Sequence, residues 1–523
     1  MNVLERKLGM TMRFSILGTF AIIGGAVFLC AASGLPARAD EQAAALLAKH
    51  KSFVGWQFGD GGIRTLRLSE KMLKDSDGSL YSSDKELRVG LIDRTDSTGK
   101  HGTTYAGFTG RVFWNSDQNG FTRASFGDPA KYRASVNALF DEGTQELAGS
   151  MRPGASISGV SLDVVRVDVP NAFPIDLYVD PQTGEYKRAV IDPGGDNEET
   201  INILAYAIAA PGKKIISKWK IADSKYTHEY TKIVANAPIS NDELHPPAQT
   251  ASWTFANSAP FPIKVTDHRI IVEAKVNGVP GRFILDSGAS SIFLSKSFAD
   301  KAQLTALDTS TATGIAGSLK IKVERAKTVE IGGNTLQNVK VDSGGSGIDR
   351  DAPDGLMGFD FLAGAIVTVN FNDQQMTITD PSKTQVDTSS GLPIVADLTN
   401  GTPVVEMKLN GNVKVNAMLD SGNPVNVLYA TDLVQRHGVR MMVDDTRLDS
   451  TLLIGGVSGG YEIGLCGHLE TLTLGPVVYQ NPPACQSPSF SGRDILVGLE
   501  FLKGFNSIVF DYPESKLIMI PNK

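Results

Sequence analysis

The amino-acid sequence predicts a mainly β protein, in which two all-β lobes related by a pseudo-two-fold axis follow a β-rich α+β domain. The first observation is a repeat in the C-terminal half: ILDSG ends at Gly288 and MLDSG at Gly422, with the two aspartates 134 residues apart (420 − 286). Each copy precedes a second matched phrase, GLMGFDFL around Gly358 and ILVGLEFL around Gly498. The third observation is that apolar and polar residues alternate in the N-terminal part, as they do in half-buried strands.

Composition and charge exclude several classes of protein. A chain of 523 residues corresponds to about three domains at roughly 100–200 residues each. Its 41% hydrophobic and 20% charged content is that of a folded globular protein and excludes disorder. The sequence contains no basic patch, so nucleic acid is not an expected partner.

Residues 1–39 have the pattern of a secretory signal peptide. Three basic residues precede an apolar core at 14–29, and Ala37-Arg38-Ala39 provides a small-x-small cleavage site. A retained membrane anchor is the alternative, but the core is short for a spanning helix, which needs about 20 apolar residues. We therefore expect an exported protein, periplasmic or secreted, without a stable membrane span after cleavage.

Residues 40–245 are expected to form a β-rich N-terminal domain. Helices are predicted at Glu41–His50 and Ala130–Leu147. Alternation predicts strands at Thr65–Leu68, Glu86–Ile92, Gly110–Trp114, Ser161–Val169 and Ile175–Val179. The prolines of residues 246–260 predict a linker into the next domain.

The repeat divides the rest of the chain into two units, 261–381 and 391–523. A hairpin signal precedes each repeated aspartate, Asn277-Gly278 in unit 1 and Asn410-Gly411 in unit 2. A glycine-rich turn, the apolar-Gly phrase and a final strand pair follow in the same order. Two copies of this length predict a duplicated lobe, because a solenoid needs three or more short repeats.

The repeated aspartates, Asp286 and Asp420, are the candidate catalytic residues. Each ends a buried apolar run and is followed by a small residue and a glycine. Two carboxyl groups that face each other at close range cannot both ionise, and such a pair activates a water at moderate pH.

Both units resemble the lobes of retropepsin-type aspartic peptidases. The family motif is two apolar residues, Asp, Ser or Thr, Gly, then Ala or Ser, completed later by an apolar-apolar-Gly phrase. Unit 1 matches with Asp286–Ser290 and Leu356–Gly358, and unit 2 matches with Asp420–Gly422 and Leu496–Gly498. The resemblance covers roughly half of the chain. It implies two retropepsin-like all-β lobes and an aspartic endopeptidase that cleaves a peptide or protein substrate without a cofactor.

The resemblance also assigns supporting roles around the dyad. Ser287 and Ser421 are expected to hydrogen-bond across the lobe interface, and Gly288 and Gly422 to let backbone N–H groups approach the carboxylates. Flaps that close over substrate and exclude water are expected at the glycine-rich turns. Their candidate residues are Gly314, Ile315 and Gly317 in unit 1 and Gly455, Gly456 and Gly459 in unit 2.

Unit 2 departs from the family motif at Asn423-Pro424, where the family has Ala or Ser. The Asn423 amide is expected to hydrogen-bond the outer oxygen of Asp420 and so to alter the titration of the dyad. Alternatively, Pro424 distorts the loop and leaves a non-catalytic, peptide-binding pseudo-peptidase. A third function also stays open, a lipid or lipoprotein carrier that acts through the N-terminal domain.

Two phrases in the N-terminal domain resemble exported bacterial proteins. Residues 107–120, GFTGRVFWNSDQNG, resemble a phrase in proteins that carry such a domain ahead of retropepsin-like lobes. Residues 176–184, DLYVDPQTG, resemble the strand and turn of lipoprotein-carrier (LolA-like) half-barrels. Ordinary hairpin chemistry at Asp180-Pro181 and Thr183-Gly184 is the alternative explanation of the second phrase.

Three further motifs are interpreted as structural. Asp342-Ser343-Gly344 is a third DSG, but it lacks a following apolar-Gly phrase, so a surface turn is expected. Residues 456–460 satisfy G-x-S-x-G, but a strand follows where that motif needs a helix. Asp360 and Glu500, which follow the apolar-Gly phrases, are expected to be charges at helix starts.

Cys466 and Cys485 are the two cysteines that remain after signal removal, and an even pair in an exported protein predicts one disulfide. Two unrelated buried thiols are the alternative. The seven histidines show no ligand spacing, so no metal site is expected. Because one chain carries both aspartates, we expect a monomer.

Overall fold

The computed structural model describes residues 40–57, 59–99, 102–314, 317–345, 353–439, 451–455, 461–487, 490 and 494–522. The predicted signal at 1–39 lies outside these residues. Within them the secondary structure is mainly β, as predicted. No helix among the described residues is long and apolar enough to cross a membrane.

The N-terminal region consists of a large sheet and three helices. Its elements are α1 Glu41–Val54, β1 Thr65–Lys74, β2 Leu80–Val89, β3 Ile92–Gly99, β4 Gly102–Phe108, β5 Phe113–Ser116, β6 Thr122–Ser125, α2 Gly127–Phe140, β7 Gly149–Ile157, β8 Val160–Val167, β9 Ile175–Val179, β10 Tyr186–Ile191, β11 Glu199–Ala210, β12 Lys213–Ile221, β13 Tyr226–Ala235 and α3 Asn241–Leu244. The thirteen strands form one antiparallel sheet in the order β6-β5-β4-β3-β2-β1-β13-β12-β11-β10-β9-β8-β7. One apolar cluster joins α1 and α2 to the strands.

The two long helices begin close to their predicted starts but end elsewhere. The Asp40 side chain caps α1 by accepting from the Gln42 N–H, and Gly55 ends it in the left-handed conformation at φ 77°. Helix α2 ends at Phe140, so its predicted continuation to 147 is wrong. The chain turns at Glu142 (φ 55°), whose buried carboxylate bonds His50 at 2.9 Å. This long-range contact overrides local helix propensity.

Two strand predictions need correction. The predicted strand Glu86–Ile92 is two strands, because Gly90 takes φ 57° and the chain turns between β2 and β3. The predicted strand Gly110–Trp114 begins only at Phe113, since Gly110 takes φ 87° in the preceding turn.

The two units of the repeat contain the same elements in nearly the same order. Unit 1 and its lead comprise β14 Ser252–Thr254, β15 Phe261–Pro262, β16 Lys264–Val265, β17 Ile270–Val276, β18 Val279–Leu285, β19 Phe293–Ser295, α4 Lys296–Lys301, β20 Thr305–Gly314, β21 Gly317–Ile331, β22 Asn334–Gly344, β23 Gly355–Met357, α5 Phe359–Leu362, β24 Ile366–Asn370 and β25 Gln375–Thr379. Unit 2 comprises β26 Leu392–Val395, β27 Val404–Leu409, β28 Val413–Asp420, β29 Val427–Ala430, α6 Thr431–His437, β30 Thr451–Gly455, β31 Tyr461–His468, β32 Thr471–Leu474, β33 Val477–Gln480, β34 Pro483–Ser487, β35 Ile495–Gly498, α7 Leu499–Leu502, β36 Phe505–Asp511 and β37 Lys516–Pro521.

Each unit folds into its own nine-stranded sheet, and a third sheet joins them. Both predicted turns are present, since Asn277-Gly278 and Asn410-Gly411 take left-handed φ values between β17 and β18 and between β27 and β28. The joining sheet has the order β15-β25-β24-β36-β37-β26, in which β24 of unit 1 pairs antiparallel with β36 of unit 2. The order is symmetric about that pair, which places the pseudo-two-fold axis between the units.

The segment predicted as a linker, 246–260, is not wholly a connection. Its strand β14 pairs antiparallel with β22, with Trp253 opposite Leu336. Part of this segment therefore belongs to the sheet of unit 1. The division of the chain into 40–245, 261–381 and 391–523 stays a proposal.

Candidate active site

The fold puts the two repeated aspartates at equivalent places. Asp286 directly follows β18, and Asp420 ends β28. Each of these strands pairs in parallel with the strand of its own apolar-Gly phrase, β18 with β23 and β28 with β35. The Asp286 N–H also donates to the Met357 carbonyl at 3.0 Å. The sequence spacing between each aspartate and its later phrase is thus a strand pairing.

Backbone contacts explain why the apolar phrases end in glycine. A Cβ atom on Gly358 would lie 2.5 Å from the Ala289 carbonyl oxygen, and one on Gly498 would lie 2.5 Å from that of Asn423. A side chain at either position would push away the loop that follows the aspartate.

The two carboxyl groups lie against each other's glycine. A Cβ atom on Gly288 would lie 2.5 Å from Asp420 Oδ1, and one on Gly422 would lie 2.6 Å from Asp286 Oδ1. The N–H of Gly288 donates to Asp286 Oδ1 at 2.9 Å, and that of Gly422 donates to Asp420 Oδ1 at 2.8 Å. Each glycine therefore supports its own carboxylate with an N–H and leaves room for the other.

The two serines link the units reciprocally. Ser287 Oγ donates to the Leu419 carbonyl and Ser421 Oγ to the Leu285 carbonyl, both at 2.8 Å. In return the Ser421 N–H donates to Ser287 Oγ at 2.9 Å, and the Ser287 N–H donates to Ser421 Oγ at 3.0 Å. Both side chains are buried, at 1% and 0% exposure. Four hydrogen bonds therefore fix the loop that carries Asp286 relative to the loop that carries Asp420.

This environment favours one shared proton. Burial raises the pKa of Asp286 well above its ordinary value, and the charge and hydrogen bond of Asp420 raise it further. The N–H groups of Gly288 and Ala289 oppose that change. The titration belongs to the pair rather than to either residue. With one proton, the ionised member can take a proton from a water while the other donates to a carbonyl oxygen.

The expected role of Asn423 is wrong. Its Oδ1 accepts from the Val425 N–H at 3.2 Å, and its Nδ2 has no hydrogen-bond partner among the described residues. The side chain is used inside its own loop, as asparagine is in Asx-turns. The main chain at Asn423 follows the same path as in unit 1: its carbonyl accepts from Leu499 N–H as that of Ala289 accepts from Phe359 N–H.

Two other interpretations of carboxylates are corrected. Asp342 does not lie in a surface turn: the third DSG ends β22, and Asp342 accepts from Ser291 Oγ at 2.6 Å. Glu500 fits a charge at a helix start, with an ion pair to Lys503 at 2.8 Å. Asp360 does not, because it is fully buried and accepts from the Ile292 N–H at 3.0 Å. Asp342 and Asp360 therefore both accept hydrogen bonds from the loop that follows Asp286.

The predicted flap turns are described in part. Gly314 pairs with Gly317 at the end of the β20–β21 hairpin, and Gly455 pairs with Tyr461 between β30 and β31. Ile315, Gly456 and Gly459 lie outside the described residues. The continuation of 461–468 as strand β31 agrees with rejecting a nucleophile elbow at 456–460.

The predicted disulfide is present. Cys466 on β31 and Cys485 on β34 are directly opposite in the antiparallel ladder and are bonded, with a Cα–Cα distance of 4.0 Å. Both strands belong to unit 2, so the bond ties the β30–β31 hairpin to the strand that pairs with β29.

One residue near the dyad escaped the sequence analysis. Tyr512, which follows β36, is 2% exposed, and its hydroxyl has no hydrogen-bond partner in the described part of the chain. Burial raises its pKa well above the ordinary value, and the carboxyls of Asp286 and Asp420 raise it further. Phe371 stands at the equivalent hairpin position of unit 1. The sequence signal that could have identified Tyr512 is this difference in residue type between equivalent positions of the two units.

The described residues hold no cluster of metal-ligand side chains.

Comparisons with known proteins found one family match and several similar solved structures. Residues 272–361, which include Asp286 and the first apolar-Gly phrase, match the aspartyl protease family. Among solved structures, the chain is similar to a retropepsin-like aspartic protease from Rickettsia conorii, at 19% identity and a TM-score of 0.19, over 25% of this chain and 88% of that protein. No curated protein matches the sequence significantly.

The N-terminal part has other structural neighbours. An outer membrane lipoprotein-sorting protein domain from Vibrio parahaemolyticus is similar at 8% identity and a TM-score of 0.29, over 39% of this chain and 96% of that one. A LolA superfamily protein from Nitrosomonas europaea is similar at 12% identity and a TM-score of 0.29, over 39% and 97%. The family match of residues 272–361 confirms the aspartic peptidase resemblance of unit 1. At these identities and TM-scores, the LolA-like resemblance of the N-terminal domain stays a prediction.

Proposed function

We propose that this chain is an exported aspartic endopeptidase in which Asp286 and Asp420 activate a water for attack on a peptide bond. The aspartyl protease match of residues 272–361 supports the class of enzyme. The observation that carries the proposal is the reciprocal packing of each carboxyl against the opposite glycine, with four serine hydrogen bonds holding it. Such an arrangement preorganises a water-activating carboxyl pair before substrate binds.

The substrate class follows from the shape of the two units. The β20–β21 hairpin is paired from Thr305 to Gly314 and the β30–β31 hairpin from Thr451 to Gly455, and these two hairpins are the arms of the site. Closure of both arms over a bound chain would exclude water from the dyad. An extended peptide suits such a site, because its backbone can pair with strand edges on both sides.

Two observations support catalysis over peptide binding alone. The Asn423 side chain bonds within its own loop, and the main chain on both sides of it keeps the path of unit 1. Asp420 also keeps the N–H of Gly422 that a working carboxylate needs. Pro424 is therefore accommodated without loss of the dyad geometry.

The experiment is cleavage of a mixed peptide library between pH 3 and 9, read by mass spectrometry. The wild-type protein should cut peptide bonds, and Asp286→Asn and Asp420→Asn proteins should cut none. Asp267→Asn is the matched control, because the Asp267 side chain is 93% exposed and only distantly paired with Lys503. Binding of peptides without cleavage would favour the pseudo-peptidase, and lipid extracted from the purified protein would favour the carrier.

Export is part of the proposal and has its own test. The 1–39 segment has a signal pattern, and a Cys466–Cys485 disulfide suits an oxidising compartment. N-terminal sequencing of the protein from a native extracellular or periplasmic fraction should begin at Asp40. A protein found only inside the cell with Met1 retained would contradict it.

A further inference from the structure

The β5–β6 hairpin of the N-terminal sheet extends into the two units of the repeat. Asp117 fixes its turn, since Oδ1 accepts from the N–H groups of Asn119 at 2.8 Å and Phe121 at 2.7 Å. Phe121 is 2% exposed and belongs to the apolar core of the repeat, where it packs against Gly364. The hairpin is therefore anchored outside its own domain.

Asn119 connects the hairpin to the back of the Asp286 loop. Its side chain is fully buried, donates to Asp360 Oδ1 at 2.9 Å and to the Lys340 carbonyl at 3.1 Å, and accepts from the Lys340 N–H at 2.7 Å. Asp360 Oδ2 in turn accepts from the Ile292 N–H at 3.0 Å. One carboxyl thus joins Asn119 to the loop 286–292.

Arg123 reaches the same loop from the next strand. Its Nη2 donates to the Ser290 carbonyl at 3.3 Å, and its guanidinium lies 4.4 Å from the centroid of the Phe359 ring. Gly401 of unit 2 closes the other side, because a Cβ atom there would lie 2.8 Å from Nη2. The guanidinium therefore fills the space between the two units.

The hairpin also holds the segment that precedes β27 in unit 2. The Ala124 carbonyl accepts from the Leu398 N–H at 3.1 Å, and Asp397 Oδ1 accepts from the Phe126 N–H at 2.9 Å. A few residues later the Pro403 carbonyl accepts from the N–H of Leu419, which precedes Asp420. Contacts from one hairpin thus reach the neighbourhoods of both catalytic aspartates.

We propose that the β5–β6 hairpin is a positioning element of the active site, and that Asn119 and Arg123 hold the Asp286 loop in the geometry that the dyad requires. This inference rests on the proposed peptidase function. The contact of Asn119 with Asp360 suits a site that works in acidic medium. Burial and the neighbouring Asp117 carboxyl raise the pKa of Asp360 well above its ordinary value. A proton on Asp360 would relieve the repulsion between these two buried carboxyls in acidic medium.

The test compares Arg123→Lys and Asn119→Ala with two controls in the full-length protein. Arg123→Lys keeps the charge but loses the planar fork that reaches Ser290 and stacks on Phe359. Arg111→Lys is the matched control, because Arg111 is exposed in the turn between β4 and β5 of the same sheet. Glu142→Gln controls for destabilisation, because Glu142 is buried against His50 in the N-terminal core.

Two measurements are made well below each protein's unfolding temperature. Arg123→Lys and Asn119→Ala should lower kcat about ten- to hundredfold with KM changed less than about threefold, because misplacement of the dyad by about an ångström is costly. Amides of residues 287–292 should exchange with deuterium at least about tenfold faster, because local opening costs less. Both controls should leave kcat and this exchange unchanged.

The proposal would be overturned if Arg123→Lys and Asn119→Ala lost no more kcat than Glu142→Gln does and left the deuterium exchange of residues 287–292 unchanged. Should Asn119→Ala fail to fold, Arg123→Lys decides alone. If the wild-type protein cleaves no peptide, the proposed function fails, and the exchange of 287–292 still decides whether the hairpin holds the loop.

Discussion

At the scale of the residue, Asp286 and Asp420 are placed to titrate as one pair. The pKa of Asp286 is raised by burial first and by Asp420 second, so the folded protein holds a proton that the unfolded chain would release near the reference value of about 4. The dyad needs one proton, and that proton is lost as pH rises through the raised pKa. We therefore expect kcat/KM to be highest in acidic to mildly acidic medium and to fall at higher pH. A pH–rate profile that still climbs past about pH 9 would indicate another nucleophile.

The same titration has a consequence for stability. Because the folded pKa of Asp286 is raised, its contribution to stability is present below pH about 4 and is lost as pH rises through the folded pKa. Asp286→Asn cannot ionise, so this variant should be inactive yet at least as stable as the wild type at pH 7. Thermal unfolding at pH 4 and pH 7 measures this, with Asp267→Asn as control. A variant that is markedly less stable at pH 7 would contradict the reading.

Tyr512 provides a separate test at this scale. A buried hydroxyl without a partner costs roughly 1–3 kcal/mol. Tyr512→Phe, which places in unit 2 the residue type that Phe371 provides in unit 1, should therefore raise the free energy of unfolding by about 1 kcal/mol. Tyr230→Phe should lower it by about the same amount, because the Tyr230 hydroxyl donates to Glu86 Oε2 at 2.9 Å. Urea unfolding of both variants is the measurement, and equal shifts of the same sign would refute the argument.

The individual site residues were predictable only where the repeat marked them. Asp286, Asp420 and their serines and glycines stand in two matched frames, and the fold brings them together. Asp360 and Glu500 share one spacing, yet only Asp360 is buried, because it meets Asn119 from 241 residues away. Asp342 was likewise placed by its contact with Ser291. No local pattern encodes such contacts.

At the scale of the element, the Cys466–Cys485 bond joins two strands of unit 2. Its loop has a sequence separation of 19, for which the chain-entropy model gives about 3 kcal/mol. Replacing both cysteines by serine should lower the free energy of unfolding by about that amount. Non-reducing peptide mapping of the exported protein should recover the two cysteines in one linked product. Two alkylatable thiols would contradict the bond.

Asp93 on strand β3 is a buried acid whose pKa is raised, whereas the pKa of the exposed acid Asp77 is lowered. Burial raises the pKa of Asp93 to about 6, although Arg88 lowers it. Its stabilising contribution is therefore present below pH about 4 and is lost as pH rises through about 6. Asp93→Asn should gain stability relative to the wild type across that window, by at most about 3 kcal/mol. Asp77→Asn should show no gain, because hydrogen bonds to Ser79 lower the pKa of Asp77. Denaturant unfolding at pH 4 and 7 compares them.

Element positions followed from the sequence where local signals were strong. Strand β9 lies at the predicted residues, and the two Asn-Gly turns are present. Helix α2 ended early because Glu142 turns toward His50, a partner 92 residues away. The prolines of 246–260 predicted a linker, but Trp253 pairs into the sheet of unit 1. Tertiary contacts decided these boundaries.

At the scale of the whole molecule, one chain supplies both halves of the candidate site. The six-stranded sheet fixes unit 1 to unit 2 through the β24–β36 pair, with Thr368 opposite Val509. Twelve residues, 380–391, separate β25 from β26, and such a short tether keeps the units at a high effective concentration. The β5–β6 hairpin adds a contact to both units. Activity should therefore not depend on association of chains.

The most direct test of one complete site in one chain is peptide cleavage by diluted and mixed proteins. The specific activity of the wild-type protein per mole should stay constant across a wide dilution series. Asp286→Asn and Asp420→Asn proteins should each be inactive, and a mixture of the two should stay inactive. Activity recovered in the mixture, together with wild-type activity that falls on dilution, would mean that each chain contributes only half a site. Activity in either variant alone would mean that its aspartate is not part of the dyad.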